Sequence, residues 1–507
     1  MSDNSDFEVL RQRKEKLEKY RQEAGDPYLI NHFDRENTLK EVKEYTSTDD
    51  SKKFKVAGRI ITLRRHGKTA FANILDETDS MQICFRYDIL GEEVYTFFKK
   101  WVDIGDWIGI EGTLFLTTTN ELTICVTGFV LLSKSIRPLP DKHSGLTDVE
   151  NRYRHRYIDL ISNLDVRKTF LDRAKIIETL RRKMKETNTI EVETPILSGI
   201  AGGANAKPFI THHNALDQDM YLRIAEELYL KRLIVGGLNR VYEIGKCFRN
   251  EGIDSSHNPE FTLMEIYWAF ADFIIMMNLV ESLIKECYLS IRELQPDEYN
   301  KSKQTAYLTY NNQTIDLNEP FRIIDMSKLV GEHTDLNFDK CTDEQAREVA
   351  KLYMNQDYIK DKFEVLETDS KYEILNKVFE TYVQPKLITP TFITGHPVEI
   401  SPLAKRQYSK SNYTQRFELF MFGKEVANGF SELNDPIDQR QRFEDQLKKK
   451  NLGDEEAQMF DEDFIQAIET GLPPTGGVGI GIDRLVMFLT ENHSIRDVIL
   501  FPTLKTN

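Results

Sequence analysis

Between Phe54 and about Leu132 hydrophobic side chains recur at every second position in short runs. Phe54-Lys55-Val56-Ala57-Gly58-Arg59-Ile60-Ile61, Phe71-Ala72-Asn73-Ile74-Leu75-Asp76, Met81-Gln82-Ile83-Cys84-Phe85, Trp107-Ile108-Gly109-Ile110-Glu111-Gly112 and Glu121-Leu122-Thr123-Ile124-Cys125-Val126 each read as a strand with one buried face. Glycine and polar residues separate them, and a helix is predicted at 92–101. Ahead of these runs the period changes to that of a helix. Phe7, Leu10, Leu17 and Tyr20 form a thin apolar stripe among Arg11, Arg13, Lys14, Lys16, Lys19 and Arg21.

Five strands with turns of this kind predict a small closed barrel of the oligonucleotide-binding (OB) type. The basic helix before it either covers its neighbour with a solvated face or adds a contact to RNA. After the barrel, Ser133 to Val149 contains Arg137-Pro138-Leu139-Pro140-Asp141-Lys142 and no periodicity, which marks a linker. A larger α+β region follows to the C-terminus, with 320–390 reading as helical and carrying no recognisable chemistry. The expected division is a helical segment at 1–53, the barrel at 54–137, a linker at 138–150 and a catalytic region at 151–507.

With 507 residues, 40% hydrophobic and 29% charged, two or three ordinary globular domains are expected. No long apolar run and no basic-then-apolar leader occur, so a cytoplasmic protein with no membrane partner is expected. The five cysteines are widely spaced without a C-x-x-C pair, which supports neither a disulfide framework nor a cysteine zinc site. A net charge of −15 opposes indiscriminate adhesion to nucleic acid but leaves room for a locally basic surface.

Three segments carry candidate chemistry. Val241 to Arg249 alternates as a strand, and Phe261 to Trp268 does so again after a polar loop, which predicts an antiparallel hairpin. Period two places Phe261, Leu263, Glu265 and Tyr267 on one face, shared across the hairpin by Arg249. A guanidinium there can bridge an α-phosphate and an acyl carboxylate, because it engages such oxygens two at a time. Glu251 is placed to read an adenine or to hold a metal, and Phe261 offers a stacking ring. In Gly477-Val478-Gly479-Ile480-Gly481-Ile482-Asp483-Arg484 three glycines share a face against which a ligand can lie, and Arg484 suits a γ-phosphate. Close packing explains a Gly-x-Gly-x-Gly strand equally well on its own. The third segment, Phe417 to Asp435, puts Asn428, Phe430 and Glu432 on one face, with Glu418 and Glu425 upstream as oxygen ligands for Mg²⁺. Together these describe a clamp for ATP.

These segments resemble the class II aminoacyl-tRNA synthetases, and among them the lysyl-tRNA synthetases, from about residue 54 to 502. The resemblance rests on the segment from Phe170-Leu171-Asp172-Arg173 to Val192-Glu193-Thr194-Pro195, on the hairpin around Arg249 and on the glycine strand ending in Arg484. Gly202 to Phe209, Leu222 to Lys231 and Asn428 to Asp435 add the resemblance to the lysine enzymes. It implies a six- to seven-stranded antiparallel catalytic sheet and a homodimer formed largely through the first segment. It also implies ATP contacts from Arg249, Glu251, His257, Phe261, Glu425, Gly481 and Arg484, with Arg249 and Arg484 as the catalytic cations. A lysine pocket of Glu227, Arg249, Glu265, Tyr267, Asn428, Phe430 and Glu432 follows, and Mg²⁺ on Glu418 and Glu425. Phe71, Gln82 and Glu121 look like readers of the central anticodon uridine of tRNA(Lys), the lesser alternative being that Phe71 fills the barrel core. Three positions depart from the family pattern: Ser256 and Lys207 stand where arginines are common, and Glu226 where a proline is usual.

The resemblance implies that L-lysine and Mg-ATP give lysyl-adenylate, from which lysine passes to the 3′ end of tRNA. An aspartyl or asparaginyl enzyme on the same scaffold would need cations where Glu227, Glu265 and Glu432 stand. A non-catalytic RNA-binding relative would be expected to lack Arg249, Glu425 or Arg484. A ligase that lysylates proteins normally lacks the barrel.

Overall fold

The strands of the N-terminal region do close on themselves. The computed structural model describes residues 2–45, 52–140, 146, 148–292, 306–354, 365–367, 369–409, 411–451 and 459–505. Residues 141–145 and 147 of the expected linker, and 355–364 and 368 of the stretch read as helical, lie outside the described residues. The chain divides into two compact units, Met1–Thr147 and Asp148–Asn507.

In the first unit β1 (Lys53–His66), β2 (Thr69–Leu75), β3 (Ser80–Arg86), β4 (Trp107–Leu116) and β5 (Leu122–Ser133) form a closed barrel in the order β1-β2-β3-β5-β4. Alternation in β2 sends Ala70, Ala72 and Ile74 into the barrel, each fully buried, and leaves Phe71 and Asn73 half-buried on the outside. Phe71 is therefore not a core residue. The helix predicted at 92–101 spans Tyr87–Trp101, but Gly91 at φ 78° interrupts its first turn. Its Phe98 stacks on Phe85 of β3 with ring centroids 3.8 Å apart and closes the barrel end.

The N-terminal helix, Ser2–Ala24, buries Leu17 and Tyr20, whereas Phe7 is 68% exposed, so the apolar stripe is shorter than the spacing predicts. Two of its cations are spent on the unit's own surface. Lys16 pairs with Asp103 at 2.8 Å, and Arg13 donates to the carbonyls of Ser135 and Arg137 at 3.1 and 3.2 Å.

The second unit opens with helices Val149–Arg154, Arg156–Ser162 and Leu164–Glu186, followed by β6 (Ile190–Glu191), a small sheet of β7 (Leu197–Ser198), β8 (Ile210–His213) and β9 (Gln218–Leu222), and the hairpin of β10 (Arg240–Phe248) and β11 (Glu260–Ala269). A hairpin of β12 (Tyr307–Tyr310) and β13 (Gln313–Asp316) precedes β14 (Arg322–Asp325), β15 (Thr391–Thr394), β16 (Arg416–Met421), β17 (Lys424–Ser431) and β18 (Thr475–Gly481). The central sheet runs β14-β15-β16-β17-β18-β11-β10-β6. Its middle, from β15 to β10, is antiparallel, while β14 and β6 join the edges in parallel. The sheet is thus wider than expected and mixed at its margins. Between β6 and β10 the chain passes through the small sheet and helix Glu227–Val235, a crossover long enough for the two strands to run parallel.

One face of this sheet is dry. Met264, Ile266, Val478 and Ile480 meet Ile176, Leu180 and Met184 of helix Leu164–Glu186 and Val280 and Ile284 of helix Phe273–Ile291. The stretch 320–390 is helical over Met326–Thr334, Asp343–Met354 and Lys371–Val378, but it begins with a strand, β14.

Candidate active site

The polar face of the central sheet is organised by register into two rows. Glu418, Asn428, Gly479, Glu265 and Glu243 lie opposite one another on successive strands from β16 to β10. The neighbouring row is Arg416, Phe430, Gly477, Tyr267 and Val241. In each row a glycine of β18 separates larger side chains from both sides, so the glycines make the floor of a trough. A Cβ on Gly477 would come within 2.6 Å of the Tyr267 ring, whereas one on Gly479 would meet nothing closer than 3.8 Å.

The trough is a cavity of about 430 Å³, a size suited to a nucleotide-sized ligand. Its lining includes Glu227, Arg249, Glu251, His257, Phe261, Glu265, Tyr267, Glu418, Glu425, Asn428, Phe430, Gly481 and Arg484. A strict period of two would put Glu425 on the opposite face from Asn428. The register of β17 against β16 shifts between Leu419 and Phe420, and this bulge returns Glu425 to the cavity side.

At one end the wall is acidic. Glu227 opens helix Glu227–Val235, and Glu265 accepts a hydrogen bond from Tyr267 Oη at 2.8 Å. Burial, with the Glu227 charge second, pushes the Glu265 carboxyl up to about 8. Glu432, the third acid of the expected pocket, is fully buried and is not among the residues lining the cavity. Its Oε1 packs against Gly477 on the Tyr267 side of β18, without a hydrogen-bond partner. Its other oxygen pairs with Lys231, a residue that sequence reasoning passed over and that also holds Glu227 Oε1 at 2.6 Å. Glu226, at the position where the family pattern has a proline, is buried beside Arg223 at 3.1 Å, and Arg223 reaches Glu243 at 2.6 Å.

At the other end the wall is cationic. Arg249 stands over the Phe261 ring with its guanidinium carbon 5.0 Å from the centroid, and its Nε is buried without a hydrogen-bond partner. Arg484 donates to the Glu425 carbonyl at 2.9 Å and meets His257 Nε2 at 3.1 Å. His257 Nδ1 faces Asp254 Oδ2 at 2.8 Å, which orients the ring toward Arg484. Lys424, also missed from the sequence, donates to Ser256 Oγ at 2.5 Å. It brings a cation from β17 to the loop position where the family pattern has an arginine. Asp483 links all three signature segments: Arg173 pairs with it at 2.7 Å, and the Thr262 amide donates to it at 2.6 Å.

Between the ends lie the carboxylates of Glu418 and Glu425. Burial acts to raise Glu418, but Arg416 at 2.6 Å and His396 at 3.2 Å overcome it and hold the group down to about 2. Burial and the charge of Glu418 push Glu425 up, and the same two causes push Glu380 up to about 7. Glu418 and Glu425, two carboxylates that repel one another beside a cationic wall, are a setting a divalent ion would relieve. Among the described residues no three His, Cys, Asp or Glu side chains converge into a ready metal cage. That fits Mg²⁺, which takes one or two protein carboxylates and completes its shell with phosphate and water. Glu380 and His396 bring chemistry to a stretch and its margin that looked inert in the sequence.

On the barrel, Phe71 lines a hollow of about 560 Å³ with Lys68, Arg86, Tyr87 and Phe115. Gln82 donates to Glu121 Oε2 at 2.8 Å and accepts from Thr123 Oγ1 at 2.8 Å, so Gln82 and Glu121 form one polar pair.

The comparisons with known proteins agree with this architecture. Residues 148–505 match the family of class II tRNA synthetases (D, K and N), and residues 54–132 match the OB-fold nucleic acid binding domain. The chain is 51% identical over 499 residues to a "Lysine--tRNA ligase" of Thermoanaerobacter pseudethanolicus, covering 98% of this chain and 96% of that one. It is 48% identical to the protein of the same name from Clostridium tetani, over 100% and 98% of the two chains, and 50% identical to that of Listeria monocytogenes, over 97% and 96%. The fold and the site therefore define a class II aminoacyl-tRNA synthetase. Within that class the chain belongs to the lysine–tRNA ligase family.

Proposed function

We propose that the cavity of the second unit is where L-lysine is activated and that the barrel's outer face reads the anticodon of tRNA(Lys). The observation that carries the first part is one trough with a buried acidic end and a cationic end. A lysine carboxylate oxygen attacks the α-phosphorus of ATP, and the bond from that phosphorus to the bridging oxygen breaks, releasing pyrophosphate. The 3′-terminal ribose hydroxyl of tRNA then attacks the lysyl carbonyl, and AMP leaves. Arg249 bridges the α-phosphate and the lysine carboxylate, Arg484 and His257 hold the phosphate tail, and Phe261 stacks on adenine beside Glu251. No protein nucleophile is needed, because alignment and charge neutralisation lower the barrier.

Glu418 and Glu425 would hold Mg²⁺, which supplies charge neutralisation on the phosphates. Glu227, Glu265, Tyr267, Asn428 and Phe430 form the walls of the lysine pocket, Glu432 packs against Gly477 and Tyr267 outside that lining, and Gly481 lies beside the nucleotide. A homodimer is supported by apolar side chains left exposed around the first signature, including Leu171, Ile190, Ile196 and Leu197. No helix among the described residues is long and apolar enough to cross a membrane, in keeping with a cytoplasmic setting.

Lysine-dependent exchange of pyrophosphate into ATP tests the assignment. Arg249→Ala abolishes the exchange; retention of exchange would remove Arg249 from the mechanism. Phe71→Ala leaves the exchange unchanged and weakens aminoacylation by about ten-fold or more, the size of one lost base–aromatic stack. An equal loss in both assays would show that Phe71 does not act on tRNA alone.

A further inference from the structure

Lys231 is the most deeply buried cation near the cavity. It is 1% exposed, with its ammonium 2.6 Å from Glu227 Oε1 and in contact with Glu432 Oε2. It follows Glu227 by one helical turn, so helix Glu227–Val235 delivers both side chains to the same place. The ammonium lies between the rings of Phe430 and Phe464, 5.4 and 5.6 Å from their centroids. Burial acts to neutralise it, and the charges of Glu227 and Glu432 reverse that and keep it an ammonium. It is not among the residues lining the cavity.

Stability does not account for such a triad. Buried ion clusters pay a desolvation cost that packed apolar side chains of the same volume avoid, so replacing a whole cluster is often neutral or stabilising. What the arrangement does provide is orientation. Glu227 and Glu432 each commit one oxygen to Lys231, and the remaining Glu432 oxygen, Oε1, packs against Gly477 on the Tyr267 side of β18 without a hydrogen-bond partner.

We propose that Lys231 is a positioning residue for substrate recognition: it fixes one oxygen of Glu227 and one of Glu432 and so sets how the two acids present themselves to the ammonium groups of the bound amino acid. The charges then match. Once lysine binding has ionised all three acids, Glu227, Glu265 and Glu432 against Lys231 leave two negative charges, and lysine brings two ammonium groups while its carboxylate faces Arg249. The inference rests on the lysine pocket assigned above and adds the residue that sets its charge.

The test is steady-state pyrophosphate exchange with Lys231→Met, which keeps the apolar stem and removes the charge. The KM for lysine rises about ten- to hundred-fold, the range expected when a buried charge loses its partner, while the KM for ATP stays within about two-fold. Glu432→Gln raises the lysine KM as well, and the double variant is no worse than Glu432→Gln alone, because both changes break one coupled unit. An unchanged lysine KM, parallel changes for lysine and ATP, or multiplying effects in the double variant would overturn the proposal. Should Lys231→Met not fold, Lys231→Gln is held to the same criteria. Should that fail too, Glu227→Gln and Glu432→Gln are combined with Lys231 intact: less than the product of the single effects supports coupling through the shared ammonium, and the full product refutes it. If Glu265→Gln and Glu432→Gln leave the lysine KM unchanged, the pocket assignment itself fails; if they raise it and the Lys231 variants do not, only the inference does.

Discussion

Glu265 concentrates the chemistry of the site in a single side chain. It is buried, it faces the charge of Glu227, and it accepts a hydrogen bond from Tyr267, with the net result that its carboxyl titrates at about 8. In the empty pocket it is therefore mostly protonated at pH 7. An ammonium ion binds the carboxylate and not the acid, so lysine binding pulls the titration downward and expels a proton. Lysine affinity accordingly increases from pH 6 to 8, by up to about ten-fold per unit, and levels off above 8. Calorimetry in two buffers of different ionisation enthalpy checks this: close to one proton released per lysine at pH 7 is expected, and none released would contradict it. Lys231 shows why such residues escape sequence reading. A Glu followed four positions later by Lys on a helix is the ordinary signature of a wet surface pair, and only tertiary packing turns this one inward.

The strands show which parts of the site were legible and which were not. Period two assigned Phe261, Glu265 and Tyr267 to one face of β11 and the glycines to one face of β18, because both strands are regular over those residues. It could not place Glu425, since the bulge in β17 breaks the period between that residue and Asn428. The short parallel edges β6 and β14 escaped for a related reason. They are two and four residues long, below the length at which alternation is a signal. The glycine strand yields a sharp contrast. Gly477→Ala drives a methyl against Tyr267 and Glu432 in a strand paired on both sides, so it lowers stability by about 1–3 kcal/mol and disables lysine-dependent exchange. Gly479→Ala meets only ordinary contacts and keeps the melting temperature of the parent, a difference that thermal denaturation of the two variants reads directly. Equal melting temperatures would mean the floor is less tightly packed than the register implies.

For the whole chain, the division of labour follows from two units of different construction. A barrel that turns an aromatic and a polar pair outward suits a splayed base, and a sheet with one dry face and one charged trough suits a small charged substrate. The barrel was read from alternation alone, whereas the proposed ATP clamp needed residues more than two hundred positions apart, such as His257 and Arg484, to be brought within 3.1 Å. The central claim is that buried carboxylates select the substrate by its side-chain ammonium. Pyrophosphate exchange with lysine and with norleucine, which has the same chain without that ammonium, tests it most directly. A preference for lysine of roughly 10⁴ or more in kcat/KM is predicted, because norleucine leaves the acids unpaired. A preference below about ten-fold, the scale of a methylene-sized difference in an apolar pocket, would contradict it.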